Sequence, residues 1–201
     1  ILMLGESVSL YQPQRHRLLI KRILERYLSD YAEPKQGVPR FLLNDVLRYW
    51  RTLAVDYQAK RWEHVNPDWG LRYLKLLISR KLAFAGYLVP LLLCKEATVP
   101  YLLDQFSMPP LARVVQLYRT DSSFHKPLRT ILEIADEFAV ALANAKFRKE
   151  AEKVKAPGDK SDWPRVFSKM AERAKTLQCC LEEIMFGATE LGGRARKYLS
   201  F

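Results

Sequence analysis

The chain has 201 residues, enough to bury a core without disulfide or metal staples in one sizeable domain or two small ones. Nearly half of the residues are apolar and about a quarter are charged, which excludes a disordered chain and reads as globular. Thirty-three basic against twenty-two acidic side chains leave a formal charge of +11, which favours a polyanionic partner: a nucleotide, a nucleic acid or an acidic protein face.

The first residues, ILMLGESVSLY, are apolar and lack the basic leader and small-residue cleavage site of a secretory signal. They read as the last strand or helix of an upstream domain, so residues 1–12 are expected to be a lead-in. After Pro13, Leu19, Ile20, Ile23, Leu24, Tyr27 and Leu28 fall at helical spacing. Pro34, Gly37 and Pro39 mark a loop, and Phe41 to about Glu63 runs without Gly or Pro as a helix. HVNPDWG is a turn in which Asp68 is placed to cap a helix from about Trp69 to Val89. Its apolar stretch, Leu82 to Cys94, has 13 residues and contains Pro90; it reads as a buried helix, and no membrane segment is expected.

Shorter helices are expected at about Thr98 to Phe106 and after Pro109-Pro110 up to Tyr118. RTDSSFHKP reads as a loop closed by Pro127, followed by one long amphipathic helix through LRTILEIADEFAVALANAKFRKEAEK. The main helical body thus covers 13–154. KAPGDKSDWP is the clearest linker, over 155–163, and residues 164–201 pack a last helix, ending near Phe186, on the same bundle. Gly187, Gly192 and Gly193 break the chain before a short basic tail. With no alternating period beyond the first residues, the chain is expected to be all-α, an irregular bundle of six to eight helices. Cys94 and the adjacent Cys179 and Cys180 fall in no metal-ligand spacing, and read as buried thiols of a reducing, cytoplasmic compartment.

Two sequence-adjacent helices carry unusual polar content and are expected to pair as an antiparallel hairpin. In the first, Asn44, Arg48 and Arg51 share a stripe beside Asp45, Tyr49, Thr52, Asp56 and Lys60; in the second, Arg72, Lys75 and Ser79 share another, with Arg80 beside it. Facing stripes would form a basic, hydroxyl-bearing pocket suited to a triphosphate, because arginine forks, a lysine charge and a hydroxyl all donate to phosphate oxygens. The competing structural reading is an interhelical salt-bridge network using Asp45, Asp56 and Glu63. Trp50, Trp62 and Trp69 read as packing residues, with Trp69 also able to stack on a base.

PRFLLNDVLRYWRTLAVDYQAKRWE followed by WGLRYLKLLISRKLAFAGYL resembles the helical half of bacterial nucleotidyltransferases related to the amino-terminal part of PII uridylyltransferases, within the DNA polymerase beta-like superfamily. ILMLGESVSLYQPQRHRLLIKRILERYL is similar to the segment after their catalytic sheet, so the resemblance covers roughly Ile1 to Leu88. It implies that a Gly-Ser motif and paired carboxylates holding Mg2+ lie upstream of Ile1. It further implies that this chain helps to bind a nucleoside triphosphate and a protein or small-molecule acceptor, with Arg48, Arg51, Arg72, Lys75 and Ser79 as phosphate contacts. On that reading this chain alone does not catalyse transfer.

A second possibility is enzymatic. Arg119 and His125, six apart, resemble the Arg-x(4–6)-His motif of HEPN-type ribonucleases, where an arginine steadies the scissile phosphate and a histidine does acid-base work. A third is a non-catalytic helical scaffold. His16 among arginines reads as solvated, and His64 has only Asp68 within reach, beyond a proline; metal binding by this chain is not expected. Nucleic-acid contact through the tail GGRARKYLSF is the minor reading of a solvated end.

Overall fold

The computed structural model describes residues 1–29, 37–62, 69–155 and 162–199, with side chains except at 60–62. The fold is all-α, with no strand among the described residues. The α-helices are α1 (Leu2–Gly5), α2 (Pro13–Ser29), α3 (Arg40–Trp62), α4 (Trp69–Lys75), α5 (Lys81–Leu93), α6 (Val99–Phe106), α7 (Pro110–Val115), α8 (His125–Ala143), α9 (Ala145–Glu152), α10 (Arg165–Phe186) and α11 (Glu190–Leu199). A π-helical stretch, Leu76–Arg80, joins α4 to α5 as one rod. With that rod taken once, the described residues form ten helices where six to eight were expected. The Asp68 cap, His64, Glu63, the side chains of Lys60 and Trp62, Pro34 and most of the linker over 155–163 lie outside the described residues.

Three departures from the sequence reading have local causes. The rod continues through Pro90 to Leu93 because the run Ala85–Leu92 is buried, and that packing outweighs the roughly 3 kcal/mol that proline costs inside a helix. The expected long helix after Pro127 is cut at Asn144, whose side-chain oxygen accepts from the N–H groups of Lys146 (2.9 Å) and Phe147 (3.2 Å) and caps α9. Gly192 and Gly193 sit inside α11 rather than ending the helical chain. A Cβ on Gly192 would lie 2.0 Å from the Gly187 carbonyl oxygen, so glycine is what lets the helix fold back on that turn.

The chain folds as two compact units. The first comprises Ile1–Trp50, Leu82–Thr120 and Met185–Phe201. Here α2 buries only Ile20 and Leu24, one helical turn apart, and packs on α6. Trp50 stacks on Phe84 at 4.8 Å and Tyr49 meets Tyr87 edge-on at 6.2 Å, so aromatic faces hold the first half of α3 to α5.

The second unit comprises Arg51–Lys81 and Asp121–Ile184. Along α8 and the residue before it, Phe124, Leu128, Ile131, Ile134 and Phe138 are buried at spacings of three and four, and in α10 Phe167, Met170, Ala174, Leu177, Leu181 and Ile184 do the same. Packing of α4 on α9 depends on Gly70, where a Cβ would stand 2.3 Å from the Ala151 carbonyl oxygen. Tyr73 centres an aromatic cluster, stacked on Trp69 at 4.9 Å and contacting Tyr57, Trp163 and Phe167.

The rod Trp69–Leu93 is long and apolar enough to cross a membrane by length and composition, although 56% of its most apolar window is buried in the protein. Arg72, Lys75, Arg80 and Lys81 punctuate its first half. Of the cysteines expected to be buried, Cys94 is, Cys180 is half-buried and Cys179 is exposed; all three are free. Burial pushes the Cys94 thiol up to about 11.

Candidate functional site

In the second unit, Leu71, Leu74 and Ile78 turn one side of the rod into the core, at intervals of three and four. Arg72, Lys75 and Ser79 occupy the other side and are exposed, as is Arg80. Neither Arg72 nor Lys75 makes an ion pair among the described residues. Among the described residues, no ion pair therefore absorbs these two cations. Lys81, next in the chain, contrasts with them: it is half-buried and donates to the Gln178 side-chain oxygen at 2.5 Å, and burial lowers its pKa against the opposing pull of Glu182. The π stretch falls under Ser79, and an extra residue per turn of this kind is common where a helix carries a functional side chain.

Arg51 is exposed on α3 in the same unit. Arg48 belongs to the first unit, where its side chain, 77% exposed, pairs with Asp45 at 3.4 Å; such a pair is worth a few tenths of a kcal/mol, up to about 1. Asp45 also accepts from the Tyr27 hydroxyl at 2.7 Å, and burial together with that bond pushes Tyr27 up to about 12. Within each unit, aromatic contacts join α3 to the rod: Tyr49 and Trp50 with Tyr87 and Phe84 in the first, Tyr57 with Tyr73 in the second. Arg48, Arg51, Arg72, Lys75 and Ser79 are all exposed.

The two residues of the ribonuclease reading belong to different units. Arg119, exposed, ends a 3-10 turn (Gln116–Arg119) of the first unit, and His125, half-buried, opens α8 in the second. The expected loop between them holds a 3-10 turn, Ser122–Phe124, in which Asp121 accepts from the Ser123 N–H at 2.8 Å, and the helix begins two residues before Pro127.

Two arrangements were not anticipated from the sequence. Arg113 on α7 is 1% exposed, and its guanidinium is solvated by carbonyls instead of a carboxylate. Nε donates to Gln105 O (3.1 Å) and Met108 O (2.9 Å), Nη2 to Gly5 O (3.1 Å) and Phe106 O (3.4 Å), and Nη1 to Gly86 O (3.5 Å). Gly5 and Phe106 end α1 and α6, where carbonyls have no helical donor and the helix dipole is negative. Gly86 O lacks its helical partner because residue 90 is proline and has no N–H. The Tyr87 and Phe106 rings lie 5.5 and 4.8 Å from the guanidinium carbon, and burial still lowers the group to about 10.

The second arrangement concerns His16, which is half-buried instead of solvated. Ser7 Oγ donates to the Met3 carbonyl at 2.5 Å and therefore accepts from His16 Nε2 at 2.7 Å. Among the described residues, no group of three or more His, Cys, Asp or Glu side chains is placed to hold a metal ion. No family model, curated protein or solved structure matches the chain.

Proposed function

We propose that this chain is a nucleotide-binding helical module, the helical part of a nucleotidyltransferase whose metal-binding core is encoded upstream of Ile1. The observation that carries the reading is the exposed row Arg72, Lys75 and Ser79, set on one side of a rod whose other side is fixed in the core, with both cations lacking an ion pair among the described residues. A bidentate guanidinium, a lysine point charge and a hydroxyl within two helical turns suit the oxygens of a polyphosphate. Arg51 and Arg48 are the further candidates. Mg2+ would arrive with the nucleotide and the upstream carboxylates, since the described residues supply no ligand set. A second observation agrees: Val8, Leu10 and Tyr11 are 81–98% exposed, an apolar surface that a neighbouring catalytic body or an acceptor protein would cover.

Titrating the whole protein with ATP, GTP, CTP and UTP, with and without Mg2+, tests the reading. Saturable binding of at least one nucleotide is expected, weakened about tenfold by Arg72→Ala or Lys75→Ala, since a charge-assisted hydrogen bond contributes about 1.5–3 kcal/mol. Absence of saturable binding, or affinity unchanged in both variants, overturns it. RNA degradation that stops in His125→Ala would replace it with the ribonuclease.

A further inference from the structure

A cavity of about 440 Å3 opens in the first unit, lined by the segment after α1, the first turns of α2, the end of α6 and the start of α7. That volume is in the range of small-molecule sites. Two chemistries line it. Ser7, His16, Arg17 and Ser107 supply polar groups, and Ile20, Leu103, Phe106, Met108 and Pro109 supply apolar walls. Arg113 lines it too.

The polar groups are held in place by one another. Besides the Ser7–His16 bond, Arg17 Nη1 donates to Ser107 Oγ at 3.0 Å, and Ser107 in turn donates to the Leu103 carbonyl at 2.6 Å. That contact uses one N–H of Arg17; a guanidinium has five, so most of the fork is open to a ligand. Arg113 brings a second positive charge that no carboxylate among the described residues pairs directly. Glu6, the acidic residue of the lining among the described residues, acts on Arg113 at longer range and accepts from the Tyr49 hydroxyl at 2.8 Å. The Arg17 fork is thus the cation left open to a ligand, since carbonyls already meet the Arg113 guanidinium, and the walls around it are mostly apolar.

We infer that this cavity binds an organic monoanion with an apolar body, of the medium-chain fatty-acid type, its carboxylate met by the Arg17 fork beside Ser107 and its chain lying along Ile20, Leu103, Phe106 and Met108. A nucleotide fits less well, because the Ser7 and Ser107 hydroxyls already donate to the Met3 and Leu103 carbonyls and Arg113 to backbone carbonyls, which leaves Arg17 to meet a single negative charge. The cavity lining shares no residue with the Arg72–Ser79 row, and the inference does not rest on the nucleotide-binding reading.

Decanoate is the probe, titrated calorimetrically into the whole protein. One-site saturable binding is expected, with decanol at least about tenfold weaker. Arg17→Gln should weaken decanoate about tenfold and leave decanol unchanged; Met108→Trp, which fills the cavity, should abolish both. Lys75→Ala should change neither, so the cavity and the nucleotide-binding row stand or fall separately. Circular dichroism and the urea midpoint establish that each variant is folded. Non-saturable decanoate binding to the folded protein, equal affinity for decanol, or an unchanged Kd in Arg17→Gln overturns the inference.

Discussion

Arg113 and Arg72 are the same side chain in opposite settings, one in each unit. Arg113 is buried where three helices present carbonyls without helical donors, at the ends of α1 and α6 and at the gap left by Pro90, and it replaces the missing N–H groups. Arg72 stands on the exposed side of the rod with no ion pair among the described residues. A basic excess is therefore not one property. Part of the +11 charge of this chain is a structural cation neutralised by backbone dipoles, and part is surface charge available to a ligand.

The sharpest way to break the comparison is to remove the buried cation. Arg113→Leu takes the guanidinium donors from the carbonyls of Gly5, Gly86, Gln105, Phe106 and Met108, of which Gln105 O keeps the Met108 N–H, and a loss of about 3 kcal/mol or more is expected in urea unfolding. A loss under about 1 kcal/mol would show that water replaces the guanidinium. Gly70→Ala tests the second unit: the new methyl would meet Ala151 O at 2.3 Å and Val154 Cβ at 2.8 Å, costing about 1–3 kcal/mol.

Cys94 gives the comparison a pH axis in the first unit. Its pKa is raised from 9.0 to about 11, so the unfolded chain loses the thiol proton first; stability is intact below pH 9 and declines as pH rises to 11. Cys94→Ala should flatten that decline in unfolding curves measured at pH 8, 9, 10 and 11, and an unaltered slope would assign it to other groups. Asn144→Ala should cost about 1 kcal/mol through loss of the α9 cap. Smallest of all, Lys75→Ala should alter stability by no more than about 0.5 kcal/mol while weakening nucleotide binding, the reverse of Arg113→Leu.

Helical periodicity made α2, α3 and α10 legible in the sequence, because their apolar positions recur at three and four and few breakers interrupt them. It misled at Asn144, where the amphipathic pattern runs on through a residue that caps a new helix, and at Pro90, where burial on most sides overrides the break. The row Arg72, Lys75 and Ser79 was legible as a stripe, but its exposure was not, since spacing fixes which residues share a face and not which face is buried. Arg113 could not be read, since its partners are backbone carbonyls that no sequence position advertises. The only local signal was an arginine among Leu111, Ala112, Val114 and Val115. His16 was missed for a similar reason: its partner Ser7 lies nine residues back, across Gln12, whose φ of 52° folds the chain onto itself.

Nucleotide-induced chemical-shift changes in the folded protein report where the polyphosphate sits without altering any side chain. Shifts concentrated on Trp69–Lys81, with the Arg72 and Lys75 side chains among the most affected, are the predicted result. Shifts centred on the residues around Arg113, or no saturable shifts up to millimolar nucleotide, would contradict it.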